Sequence, residues 1–139
     1  MVQLIVGEKG KGKTKVLLDK VNEAAKSANG NIVFLDKDSQ HMYELKNSIR
    51  LVNTKDYFIS NPEEFVGFVS GIIASDHDLE QIYIDRFFKV SFADDSQVAE
   101  VLRRLDKISE KFDVVVTVSI SITSAEVADD LKSKIIAEL

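Results

Sequence analysis

The chain has 139 residues, 45% hydrophobic and 29% charged, which suits one folded domain around one core and argues against disorder. Eighteen basic against 23 acidic residues leave a formal charge of -5, so neither duplex nucleic acid nor an anionic membrane is an expected partner, and any anion must be held locally. The absence of cysteine excludes a disulfide framework and thiolate zinc sites, and it fits a reducing, cytoplasmic setting.

Val2 to Val6 form a first apolar run, broken by Gln3 and ended by a burst of glycine and lysine, which reads as a strand and not as a signal peptide. Leu17, Val21, Ala24, Ala25 and Ala28 then fall on one helical face, and Asn29-Gly30 supplies a left-handed stop. "NIVFLD" is a second strand, apolar enough to be buried on both faces of a parallel sheet, with Asp36 at its carboxyl end. A short helix is expected from Asp38 or Ser39, followed by "IRLVN", a brief third strand suited to a sheet edge.

Asn61, Pro62 and Glu64 have the order of a helix start, with a cap, a first-turn proline and an N3 carboxylate, ahead of a buried stripe of Phe65, Phe68, Val69, Ile72 and Ile73. "QIYID" is a fourth strand; Val98, Val101, Leu102, Leu105 and Ile108 mark another helix, and "DVVVTV" is a fifth strand. Thr123 and Glu126 match a capping box, from which Val127, Leu131, Ile135 and Leu139 predict a final helix. Strands alternating with helices imply a three-layer α/β domain over residues 1–139, with a mainly parallel five-stranded sheet and the fifth strand between the first and fourth. No apolar run approaches the roughly 20 residues of a membrane span.

The chemistry is concentrated between the first strand and the first helix. Gly7, Glu8, Lys9, Gly10, Lys11, Gly12, Lys13 and Thr14 fit G-x-x-x-x-G-K-[ST] at every fixed position, with Lys15 completing a basic cluster. A backbone that wraps a phosphate must aim successive N–H groups inward, which glycines permit, and the following helix start adds unpaired donors and a positive dipole end. Lys13 is suited to the β and γ phosphates and the Thr14 hydroxyl to Mg²⁺. A chance match in a chain of this composition is on the order of one in a hundred.

The loop and the strand pattern resemble the P-loop NTPase superfamily, and within it the recombinase-like branch. The resemblance implies ATP and Mg²⁺ as ligands, with an acidic residue at the end of another apolar strand helping to hold the metal. Asp85 is that residue, with Asp36 as its rival. Many such ATPases place a glutamate directly after the aspartate to orient the attacking water, whereas this chain has Arg86; Asp36 or Asp38 would then serve from the neighbouring strand. Arg86, Arg103 and Arg104 are candidates for stabilising charge in phosphoryl transfer, the last two being better suited to a solvated helix face. Thr117 and Ser119 could meet the γ phosphate or the water, although a core threonine and a strand-end serine are the plainer reading.

Phe87 and Phe88 are too close in sequence to enter the core together, and His41 and His77 read as surface residues without metal partners. No guanine-reading N-K-x-D is present, which disfavours a GTPase. "IDRFF" partly resembles tetrameric thymidine kinases, and the chain is similar to small bacterial P-loop proteins labelled twitching-motility ATPase-like. Mg-nucleotide binding with weak or partner-dependent hydrolysis is the expected function, with a protein partner or a homo-oligomer involved. A nucleotide-responsive interaction module and a small nucleoside or nucleotide kinase are the alternatives.

Overall fold

The computed structural model describes all residues, Met1 to Leu139. Six parallel strands form one sheet in the order β3-β2-β4-β5-β1-β6: β1 Val2–Val6, β2 Asn31–Asp36, β3 Ile49–Asn53, β4 Leu79–Ile84, β5 Val115–Ile120 and β6 Ile135–Glu138. The helices are α1 Lys13–Ala25, α2 Pro62–Ser75, α3 Phe87–Ser91 and α4 Val98–Phe112. The expected β5 lies between β1 and β4, and "IRLVN" occupies an edge.

Residues of alternate parity along each strand serve opposite faces. Val2, Leu4, Val6, Val33, Leu35, Ile82, Ile84, Val116 and Val118 pack with the apolar stripes of α2 and α4 into the larger core. Ile5, Ile32, Phe34 and Tyr83 turn the other way, onto Leu17, Leu18 and Val21 of α1. Helices on both faces give the three layers.

Two expectations about elements fail. The run after Thr123 is not a helix: the capping box forms, but it opens only a 3₁₀ turn, a second 3₁₀ segment covers Asp129–Lys134, and Ile135–Glu138 become β6. Val127 and Leu131 are buried as a helical spacing would demand. The decisive competitor is the free edge of β1, whose backbone groups must be paired if buried. β6 pairs them, and its β-branched Ile135 and Ile136 suit a strand. The sheet therefore has six strands and not five. The short helix expected from Asp38 is displaced to a 3₁₀ turn at Met42–Glu44, because Asp38 instead accepts from the Gln40 backbone in a tight turn.

The start of α2 forms as its residues dictate. Asn61 Oδ1 accepts from the Glu64 N–H at 2.8 Å, and Glu64 Oε1 accepts from both Ser60 N and Ser60 Oγ. Those bonds hold the Glu64 carboxyl below its ordinary range. Asn61→Ala is expected to cost about 1 kcal/mol in a urea denaturation series, with an unchanged m-value.

Candidate functional site

The site is built by strand parity. One step beyond the paired residues Leu35, Ile84 and Val118 stand Asp36, the last residue of β2, Asp85, the first past β4, and Ser119, the last but one of β5. Each shares the parity of the residues that face α1, so three neighbouring strand ends present two carboxylates and a hydroxyl beside the first turn of that helix. Asp36 and Asp85 are wholly buried and Ser119 is 1% exposed.

The loop from Gly7 to Gly12 leads from β1 into α1. Gly10 and Gly12 have φ of 85° and 91°, a left-handed backbone that other residues rarely adopt, and a Cβ at either would meet nothing within 4 Å. Both glycines are exposed, so their conformation and not crowding is what restricts these positions. Gly7 is constrained differently, since a Cβ there would lie 2.7 Å from the carbonyl oxygen of Leu139, just past β6.

Lys13 is 8% exposed and its Nζ donates to the Glu8 carbonyl at 2.8 Å, spanning the loop. Burial pulls its pKa down, opposed by the charge of Asp85. Lys9 and Lys11 are exposed on the rim, whereas Lys15 pairs along the helix with Asp19 at 3.0 Å. Among the basic residues around the loop, Lys13 alone is folded into it.

Thr14 Oγ1 donates toward both oxygens of Asp85, at 3.2 and 3.0 Å. Ser119 Oγ donates to Asp85 Oδ1 at 2.6 Å and accepts from the Arg86 N–H at 2.8 Å. Ser119 is therefore part of the constellation, while Thr117 has the plainer role, donating to Gln3 on β1. The Thr14 hydroxyl and Asp85 carboxylate are hard oxygen donors, the chemistry that suits Mg²⁺ and not a soft metal.

Arg86 adopts a left-handed backbone (φ 55°) at the start of α3 and turns its side chain toward β2. Its Nη2 donates to Asp36 Oδ1 at 2.6 Å, lies 3.6 Å from Asp38, and its Nε lies 3.6 Å from Asp85 Oδ2. Burial drives the Asp36 pKa up, and the Arg86 hydrogen bond, the Lys37 N–H and the Arg86 charge only partly offset it. For Arg86 itself, burial works against the charge, but Asp36, Asp85 and Asp38 outweigh it and hold the guanidinium protonated. Asp36 Oδ2 and Arg86 Nε are buried without hydrogen-bond partners. A cavity of about 160 Å³ is lined by Lys13, Thr14, Arg86, Ser119 and Ser121 among others.

His41 differs from its expected surface position. Its side chain is 15% exposed, bonds Glu44, and has a ring nitrogen within 4.8 Å of carboxylate oxygens of Asp36 and Asp85. Arg86 already supplies the positive charge between those carboxylates. His77 is exposed, as are the Arg103 pairings with Glu100 and Asp130. Phe87 is buried edge-on against Phe65, and Phe88 is only partly buried, as the adjacent pair requires. Asp36, Asp85 and Ser119 were all candidates; the signal left unused is their shared parity on β2, β4 and β5, readable once β5 stood next to β4.

The architecture, three layers around a parallel α/β sheet, is the recombinase-type P-loop fold. Among the solved structures the chain resembles is a KaiC-like protein, PH0186, from the hyperthermophilic archaeon Pyrococcus horikoshii OT3, with a TM-score of 0.61 and 16% sequence identity. The match covers 85% of this chain and 61% of that one, so the chain spans less than two thirds of the length of its structural neighbour. At this identity the likeness speaks for the fold. No family model matches the sequence, and no curated protein matches it. No helix is long and apolar enough to cross a membrane.

Proposed function

We propose that the chain binds a Mg-nucleotide, ATP by default, in the loop from Gly7 to Thr14, and hydrolyses it weakly or only when a partner acts on the site. The observation that carries this reading is the meeting of Thr14 and Asp85, 71 positions apart, at the mouth of a left-handed glycine loop with Lys13 folded across it. Loop N–H groups and the α1 start would bind phosphate oxygens, and Lys13 would add a point charge. Thr14 and Asp85 would hold Mg²⁺, which when bound neutralises phosphate charge.

The weak turnover follows from Arg86. Of the carboxylates proposed to orient a water, Asp36 is already hydrogen-bonded to this guanidinium and Asp38 lies 3.6 Å from it, and no glutamate follows Asp85. The same ion pair favours a second reading, in which nucleotide is a conformational ligand and not a fuel.

The test is calorimetric titration with Mg-ATP alongside a phosphate-release assay. Binding that weakens at least tenfold without Mg²⁺, together with a slow phosphate release lost in Asp85→Asn, is the expected result. No binding at millimolar Mg-ATP would overturn the proposal. Binding with no release above buffer would leave the nucleotide-responsive reading standing and remove the hydrolytic one.

A further inference from the structure

Arg86 stands where it can serve two partners. Its Nη2 is bonded to Asp36 on β2, its Nε is buried 3.6 Å from Asp85 without a hydrogen bond, and Arg86 is among the residues lining the cavity with Lys13, Thr14, Ser119 and Ser121. The backbone N–H of Arg86 is fixed by Ser119, which is bonded to Asp85, so the base of the side chain is anchored while its tip is held only by carboxylates. An arginine has a planar fork of donors matched to phosphate, and a partly exposed guanidinium can exchange one anionic partner for another without crossing an apolar barrier.

We infer that Arg86 reads the terminal phosphate of a bound nucleoside triphosphate, and that Asp36 is the carboxylate on which it rests when that phosphate is absent. The inference builds on the nucleotide reading of the loop and adds a discrimination to it: triphosphate over diphosphate. A diphosphate engages the loop, Lys13 and Thr14 but leaves Arg86 on Asp36. A triphosphate supplies a second anion within the cavity and draws the guanidinium away. Asp36 is a positioning residue in this scheme, competing with the ligand for Arg86. The two residues therefore have opposite effects on selectivity, although they form one ion pair.

Calorimetric titration of the protein with Mg-AMP-PNP and with Mg-ADP, in parallel, tests this. The unsubstituted chain is expected to prefer the triphosphate analogue by about tenfold or more, the scale of one charge-assisted contact. Arg86→Gln should abolish the preference while leaving Mg-ADP affinity within about twofold, and Asp36→Asn should increase the preference. A merely structural ion pair would move both ligands together in both variants, and that parallel shift would overturn the inference. So would equal affinities in the unsubstituted protein, which leave nucleotide binding itself intact. Failure of both ligands to bind would instead remove the underlying nucleotide reading, and this inference with it. Should Arg86→Gln fail to fold, the ratio in Asp36→Asn decides alone: a rise supports the inference, and an unchanged or smaller ratio overturns it.

Discussion

If the loop binds Mg-ATP as proposed, Lys13→Ala is expected to eliminate the stabilisation that the ligand would confer on the fold. A ligand held at a hundred times its dissociation constant adds about 2.7 kcal/mol, which for a chain of this size raises the melting midpoint by on the order of 10 °C. The alanine variant should show less than a tenth of that shift, because the group lost is the one ammonium folded into the loop. Its own stability should change little, since Nζ makes a single bond to a carbonyl and burial already works against its charge. Thermal shift with and without Mg-ATP checks both halves. A retained shift would mean that the loop does not grip phosphate through this side chain.

Arg86→Ala is expected to destabilise the fold by about 3 kcal/mol at pH 7, the lower end for breaking a buried pair, because one side of the guanidinium reaches solvent. What remains is the larger part of the cost: Asp36, wholly buried, beside Asp85 and without its counter-charge. The loss should shrink on acidification. Burial raises the folded carboxyl's pKa above its unfolded value, so the folded state holds a proton that the unfolded chain releases, and unfolding free energy rises as pH falls through the raised value toward about 4. Urea melts of the variant at pH 7 and pH 5 should therefore converge on those of the unsubstituted chain at the lower pH. A loss that stays constant with pH would show that packing and not charge holds Arg86 in place.

The glycine loop, the β1 strand before it and the caps of α2 were legible because their chemistry is local. A left-handed glycine, a first-turn proline and a run of alternating or continuous apolar residues each impose conformation within a few positions. The β6 strand was not legible for the opposite reason. Val127, Leu131, Ile135 and Leu139 satisfy a helical period, and what made Ile135–Glu138 extended was an unpaired edge more than 120 positions earlier, which no window of local sequence contains. The Arg86–Asp36 pair lies between these cases. Both residues were visible as strand-end charges, but their contact spans 50 positions and depends on β2 and β4 being neighbours. Strand parity would have placed Asp36, Asp85 and Ser119 on one face, given the order of the strands.

The strand that carries the glycine loop pairs only with β5 and β6. Gln3 meets Thr117 across 114 positions, and the Met1 amino group meets Val114 across 113. As the chain emerges from the ribosome, β2, β3 and β4 can assemble while β1 has no neighbour to join. The loop residues are made before β2 to β5 and are seated, with β1, only after β5. Until β5 is complete, the apolar run before the loop is an exposed strand edge during synthesis, and a nucleotide that binds the loop can stabilise only a nearly finished sheet.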